Sequence, residues 1–276
     1  MPADPAVSLR PLVAPEELAQ GVLIQRETWG ESFTELVPAT ILMICQKVGS
    51  IAAGAFDPSG RMLGFVFGLT GLREGKRVHW SHMLAVRPEA RGLGLGKRLK
   101  LYQRDELLRL GVEEVRWTYD PLVAQNAHLN LNDLGAEIER YVPDMYGHNT
   151  GSALHSALGT DRFVVFWRIA SAHVEEVLKG RRPPANPALE AAPIVTAAAE
   201  PGEPELPLVP HVRVEVPEDI QQVRATAVEA ARRWRAVTRR AFLFYLERGY
   251  SVTGFRRDPA THRCTYLLTQ RTDKAT

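Results

Sequence analysis

The chain has 276 residues, 45% of them hydrophobic, and its 34 basic and 32 acidic side chains nearly cancel. Such a composition suits a packed globular core in one large or two modest domains; near-neutrality points away from a nucleic-acid partner, while the small positive excess is compatible with an anionic ligand. The two cysteines, Cys45 and Cys264, are far apart in sequence, so neither a disulfide framework nor a metal centre is expected.

In chain order, Ser8 to Leu12 reads as a strand and Pro15 to Thr28 as a helix with proline near its start. A second helix is expected over Leu36 to Lys47. The apolar runs Ile51 to Phe56 and Met62 to Thr70, joined by Asp57-Pro58-Ser59-Gly60, read as a hairpin. Val78 to Val86 is the next strand, broken by Arg87-Pro88-Glu89-Ala90 ahead of a glycine-rich loop and a helix from Leu95 to Leu110 that Gly111 ends. A strand from Val115 to Tyr119, a helix from Asn126 to Leu134 closed by Gly135, and strands near Ala136 to Tyr141 and Arg162 to Ile169 follow.

Between Arg181 and Pro210 proline, alanine and glutamate dominate and periodicity is lost, which reads as a linker. The expected organisation is therefore a domain over 1–175, a linker over 176–210 and an extension over 211–276. In that extension a strand near Val212 to Val216, a helix around Ala225 to Arg248, and strands near Tyr250 to Arg256 and Cys264 to Thr269 are expected. The extension is too small to stand alone, so it should pack on the domain or on a second subunit. Its Leu246-Glu247-Arg248-Gly249-Tyr250 echoes Asn132-Asp133-Leu134-Gly135-Ala136, a hint of a partial repeat. Met1 to Arg10 carries no apolar run behind a basic flank, and no stretch approaches the ~20 apolar residues of a membrane span. A cytoplasmic protein without a membrane partner is expected.

The run Arg91-Gly92-Leu93-Gly94-Leu95-Gly96, between a strand and a long helix, has a direct physical use. Glycines let the backbone turn tightly so that successive N–H groups and the helix dipole face an anion, and a pyrophosphate fits that description. Arg91, Lys97 and Arg98 add positive charge beside it. A Walker loop fails because Arg98 follows Lys97 and Arg91 holds the place of the first glycine. A dinucleotide fingerprint needs glycine at Lys97 and normally follows the first strand of its unit.

The pattern Arg/Gln-x-x-Gly-x-Gly/Ala, met by Arg91, Gly94 and Gly96, resembles the acyl-CoA pyrophosphate loop of the GNAT superfamily of N-acyltransferases, and Ser81-His82-Met83-Leu84-Ala85-Val86-Arg87-Pro88 looks like that family's fourth strand. The resemblance covers roughly residues 8 to 170. Trp117-Thr118-Tyr119-Asp120-Pro121-Leu122, Asn126-Ala127-His128-Leu129-Asn130-Leu131 and Leu134-Gly135-Ala136 are similar to a bacterial subgroup with an extra C-terminal region, some of whose members look like amino-acid N-succinyltransferases. The resemblance implies an α/β (α+β) fold with a mixed, mostly antiparallel central sheet flanked by helices. It also implies acetyl-CoA or another acyl-CoA as donor, no metal, and a small-molecule amine as acceptor, with an amino acid among the candidates and a homodimer among the assemblies.

The cofactor set implied is Met83, Leu84, Ala85 and Val86 through the strand backbone, Arg91, Gly92, Leu93, Gly94, Leu95, Gly96 and Lys97 at the loop, and Asn126, whose other reading is a helix N-cap. The family's thiolate-protonating tyrosine is absent, its place held by Leu131. Direct transfer needs a base for the amine, a donor to the thioester carbonyl and an acid or water for the thiolate. His82, which titrates near neutral pH, is the first candidate base and Asp120 its rival; Tyr146 is a candidate acid. Arg26, Glu27, Trp29 and the loop from Pro143 to Asp161 are expected to wall the acceptor cleft. The alternative reading is a non-catalytic module that binds or senses acyl-CoA.

Overall fold

A computed structural model describes residues 7–147, 150–152, 154, 158–181, 186–197 and 204–271. It divides into two compact units: Met1–Trp117 with Asn149–Ser156 and Trp167–Ser171, and Thr118–His148 with Ala157–Phe166 and Ala172–Thr276.

In the first unit, β1 (Ser8–Pro11), β2 (Ile51–Phe56), β3 (Met62–Arg73) and β4 (Lys76–Val86) pair antiparallel in that order, and β5 (Glu114–Tyr119) joins β4 in parallel. The fold is thus mixed α/β, built on a mostly antiparallel sheet flanked by helices. Helices α1 (Pro15–Trp29) and α2 (Ala39–Lys47) cover one face. There Leu18, Ile24 and Leu42 pack with Phe56, Phe65, Phe67, Met83 and Ala85 in one apolar cluster. Helix α3 (Leu95–Arg109) covers the other face, burying Leu95, Leu99, Gln103 and Leu107, a row at every fourth residue that lies on one side of a helix. Buried Gln25 ties α1 to the segment before α2, donating to the Val37 carbonyl and accepting from its N–H.

Beyond β5 the strand order continues β5-β7-β6, with β6 (Glu137–Val142) antiparallel to β7 (Arg162–Arg168). The helix expected from Asn126 to Leu134 is instead a short α4 (Ala124–Ala127) that widens into a π-helix over His128–Asp133, where the Leu134 N–H reaches back five residues to the Leu129 carbonyl. Helices α5 (Ala172–Leu178) and α6 (Pro187–Glu190) and the two-residue strand β8 (Ile194–Val195) follow. The stretch expected to be a linker therefore supplies ordered structure: β8 pairs in parallel with β9 (His211–Val216), which no periodicity in two residues could announce. The single helix expected over Ala225 to Arg248 is two, α7 (Ile220–Thr226), capped by Asp219, and α8 (Val228–Glu247), separated where Ala227 adopts an extended backbone. Strands β10 (Tyr250–Arg257) and β11 (Cys264–Gln270) complete a sheet of order β10-β11-β9-β8.

That sheet repeats the order of β6-β7-β5-β4 strand for strand. β8 and β9 are parallel as β4 and β5 are, and β10 and β11 are antiparallel as β6 and β7 are. The likeness reaches single residues. Gly135 and Gly249 both take positive φ, and a register shift follows in each ladder at the fourth residue beyond, between Ile138 and Arg140 and between Val252 and Gly254. Two residues after each shift begins, an aromatic pair faces across the strands, Tyr141 opposite Phe163 and Phe255 opposite Tyr266. The partial repeat hinted at by the two helix-glycine-strand segments is present.

Candidate functional site

The glycine-rich loop follows β4 and a single turn of tighter helix, Pro88–Ala90. Gly92 and Gly94 hold φ of 81° and 69°, the left-handed region that side chains disfavour, and a Cβ on either would meet nothing within 4 Å. Gly94 is the N-cap of α3 and offers no side chain to cap it; the first helical bond runs from the Arg98 N–H to its carbonyl. The opening turn of a 15-residue helix thus points its amides out of an uncapped end beside exposed Arg91, Gly92 and Leu93. Leu95 is buried under the loop, and Lys97 is half-buried on the first turn. Arg98 is directed elsewhere, donating to the Val7 carbonyl.

Upstream, β4 is irregular on both edges. Against β3, Met83 pairs with Phe67 and Trp80 with Leu69, so Ser81 and His82 together oppose Gly68 in a bulge. Gly68 is required there: a Cβ would lie 2.2 Å from His79 Nε2 and 2.6 Å from the Trp80 carbonyl oxygen. Against β5, pairing runs only from Val78↔Glu114 to Trp80↔Arg116. From Ser81 through Met83, Leu84, Ala85 and Val86 the β5-facing edge of β4 has no ladder partner among the described residues, and the two strands part. The bulge also shifts the alternation of side chains. His79 and Ser81 turn toward α3, whereas His82 stands edge-on to Phe67 at 6.3 Å, beside Met83 on the face of α1 and α2.

His82 is exposed. Solvent reaches its ring, yet crowding by protein atoms lowers its pKa below the usual histidine value, an effect that the charge of Glu35 opposes. The imidazole is therefore neutral at pH 7 and free to accept a proton. Nearby on α1, Glu27 pairs with Arg87 at 2.6 Å, Arg26 pairs with Glu31 at 3.0 Å, and Trp29 stacks on Phe33.

Behind the parting of the strands lies a buried polar chain that sequence reasoning missed. His79, Ser81, Lys100 and Gln103 are each 4% exposed or less. Lys100 Nζ donates to Ser81 Oγ at 2.7 Å, Ser81 Oγ donates to Gln103 Oε1 at 2.8 Å, Gln103 Nε2 meets His79 Nε2 at 3.0 Å, and His79 Nδ1 meets Thr70 Oγ1 at 3.0 Å. The Lys100 ammonium also lies 3.8 Å from the centre of the Trp117 ring. Burial lowers its pKa to about 7, and burial with the Lys100 charge lowers that of His79 to about 3. The available signal was a lysine placed among Leu99, Gln103 and Leu107 on the buried stripe of α3.

Asp120, Asn126 and Tyr146 belong to the second unit. Asp120 pairs with Arg235 at 2.6 Å and accepts from the Leu122 N–H at 2.9 Å, closing the turn through Pro121. Asn126 is not an N-cap: Val123 holds that position, and Asn126 is the third residue of α4. Tyr146, 40% exposed, shares a hydrogen bond with Thr118 Oγ1 at 2.8 Å, and the Arg162 guanidinium lies 5.4 Å from its ring centre. Of the expected acceptor loop, residues 148, 149, 153 and 155–157 lie outside the described residues. No group of three or more metal-type side chains occurs among the described residues, and none of their helices is long and apolar enough to cross a membrane.

No protein-family model matches the chain, and no curated protein matches its sequence. Solved structures do resemble part of it. One, of the NatC complex bound to Gag peptide and CoA, is 16% identical over 59% of this chain and 98% of that one, with a TM-score of 0.46. The ribosomal-protein-S18-alanine N-acetyltransferase from Escherichia coli is 17% identical over 60% and 96%, with a TM-score of 0.45. Aminoglycoside 6'-acetyltransferase type Ii is 19% identical over 60% and 97%, with a TM-score of 0.46.

Proposed function

We propose that the chain is an acyl-CoA-dependent N-acyltransferase of the GNAT type, which passes an acetyl or other short acyl group to the amine of a small molecule, an amino acid being the first class to try. The observation that carries this reading is the junction of two features on one strand. The unpaired edge of β4 from Ser81 to Val86 leads directly into the uncapped, left-handed glycine turn at Gly92 and Gly94. A slot with open backbone donors that ends on an anion cradle suits a ligand with a diphosphate at one end and an extended arm that can hydrogen-bond like a strand.

In this reading Arg91 to Lys97 receive the pyrophosphate, and Met83 to Val86 receive the arm and polarise the thioester carbonyl through backbone N–H groups. The neutral imidazole of His82, on the bulge, takes the proton of the attacking amine. Asp120 has a positional role supported by its contacts with Arg235 and the Leu122 amide. Asn126 is assigned a polar contact to the cofactor, and Tyr146, held by Thr118 Oγ1 at 2.8 Å, a place in the wall of the acceptor cleft.

Titrating acetyl-CoA and succinyl-CoA calorimetrically into the wild type and Gly94→Trp tests the reading. Binding by the wild type and its loss in a variant that still unfolds cooperatively supports the cradle; a wild type that binds neither donor refutes it. The alternative, an acyl-CoA-binding module without turnover, is favoured if the wild type binds the donor but releases no thiol with any amine in a broad panel.

A further inference from the structure

Lys100 holds a place that its burial alone does not explain. The β4–β5 ladder ends at Trp80↔Arg116, so Ser81 and Trp117 are the first residue on each strand beyond it. Those are the two side chains that the Lys100 ammonium touches, Ser81 Oγ at 2.7 Å and the Trp117 ring at 3.8 Å. The only buried lysine of the chain's described core thus stands at the apex of the gap between the strands.

An ammonium has three N–H donors; Ser81 takes one and the Trp117 ring faces the charge. Among the described residues no carboxylate is a partner of this ammonium. The groups around it are His79 and Ser81 from β4, Gln103 from its own helix and Trp117 from β5, and His79 is held neutral. A buried cation with no counter-ion among the described residues bears a desolvation penalty, and such groups collect where charge must be handled.

The apex is also where the far end of a bound acyl-CoA would come to rest. Ser81 to Val86 spans roughly 17 Å at ~3.3 Å per residue. A ligand whose diphosphate sat on the glycine turn beyond Val86 would run back along that edge, set its thioester carbonyl against the Met83 N–H and leave its sulfur beside Ser81 and His82.

We propose that Lys100 is the acid that protonates the departing thiolate during acyl transfer, a role that rests on the acyl-CoA reading given above. The amine lone pair forms a C–N bond to the thioester carbonyl carbon, and its surplus proton passes to His82. The C–S bond breaks with its electron pair on sulfur. A Lys100 N–H bond gives its proton to that sulfur, leaving free thiol and a neutral lysine. Exchange with solvent then returns a proton to Lys100 and removes one from His82, so the cycle closes. A donor that titrates near neutral pH matches this task.

The test compares wild type, Lys100→Met and Lys100→Arg, with acetyl-CoA as donor and the amine of highest wild-type turnover as acceptor. Arginine keeps the charge but does not surrender its proton, so it separates an acid from a fixed cation. Both variants are expected to lose at least about 100-fold in kcat, within the range for a general acid. Their Kd for acetyl-CoA should stay within threefold of the wild type. Wild-type kcat at saturating amine should fall as pH rises from 7 to 9, and that limb should vanish in any residual activity of the variants.

Near-normal kcat in Lys100→Arg overturns the proposal, as does a limb that persists in Lys100→Met. A wild-type kcat that is flat or rising from pH 7 to 9 overturns it without recourse to a variant. If the wild type binds no acyl-CoA, the functional reading fails; if it binds and turns over while the variants match it, only the role of Lys100 fails.

Discussion

Replacing Lys100 by methionine makes the cost of burying this amine measurable. In the unfolded chain the group titrates at 10.5, and in the folded protein at about 7. Below pH 7 both states hold the proton and the folded state bears the full penalty. Between 7 and 10.5 the unfolded chain binds a proton that the folded chain has released, so stability rises with pH by up to ~1.4 kcal/mol per unit, roughly 5 kcal/mol over the whole window. Whatever other groups contribute over this range is common to wild type and Lys100→Met, and the difference between the two cancels it. Urea unfolding of both proteins at half-unit steps, followed by tryptophan fluorescence, should show the wild type gaining about 3 kcal/mol on the variant between pH 7 and 9.5. At pH 6 to 7 the variant should be the more stable of the two, because loss of the penalty outweighs the lost contacts to Ser81 and Trp117. A difference that stays constant within about 0.5 kcal/mol across the series would refute the claim that the amine is buried without compensation. A variant that is more stable and yet inactive would set stability against function at this position.

Two further substitutions probe the frame around the site. Gly68→Ala puts a methyl 2.2 Å from His79 Nε2, and that ring is held by Gln103 and Thr70. The variant should be destabilised by about 1–3 kcal/mol, as overpacked cores are, and an unchanged urea midpoint would show that the bulge tolerates a side chain. Asp120→Ala removes the close partner of Arg235, a 5%-exposed arginine whose next carboxylate, Asp161, is 3.8 Å away. A loss of about 3 kcal/mol is expected, and a loss under 0.5 kcal/mol in the same unfolding assay would argue that the pair holds nothing in place.

Much of the fold was legible because its signals are local. Pro15 starts α1, the Asp57-Pro58-Ser59-Gly60 turn closes the β2–β3 hairpin, and Gly111 and Gly249 end helices with positive φ, each a backbone demand that one or two residue types meet. What escaped is what depends on a neighbour. β8 is two residues long and exists through its pairing with Arg213 and Val214. The π-helix over His128–Asp133 rests on the Leu134 N–H reaching back to the Leu129 carbonyl, a bond length in residues that no residue type announces. The C-terminal repeat left only a helix-glycine-strand echo in the sequence, because the aromatic pairs that identify it, Tyr141–Phe163 and Phe255–Tyr266, are made across strands.

The candidate site divides along the same line. Its cradle was readable: an arginine and two glycines ahead of a helix, with a third glycine in its first turn, describe a backbone conformation, and Gly92 and Gly94 adopt it. The slot was not, since two strands part when hydrogen bonds are missing, and Ser81-His82 bears no mark of a bulge until Gly68 is seen opposite. Lys100 was hidden for a stronger reason. A lysine on a helix is ordinarily a solvated side chain or one whose stem snorkels to water, and its charge then costs little. Here the ammonium is buried where β4 and β5 begin to part, its contacts are Ser81 Oγ and the Trp117 ring, and His79 is held neutral in part by the same charge. The property that makes this residue a candidate acid is created by the contacts of three separate elements, so it belongs to the fold and not to any stretch of sequence.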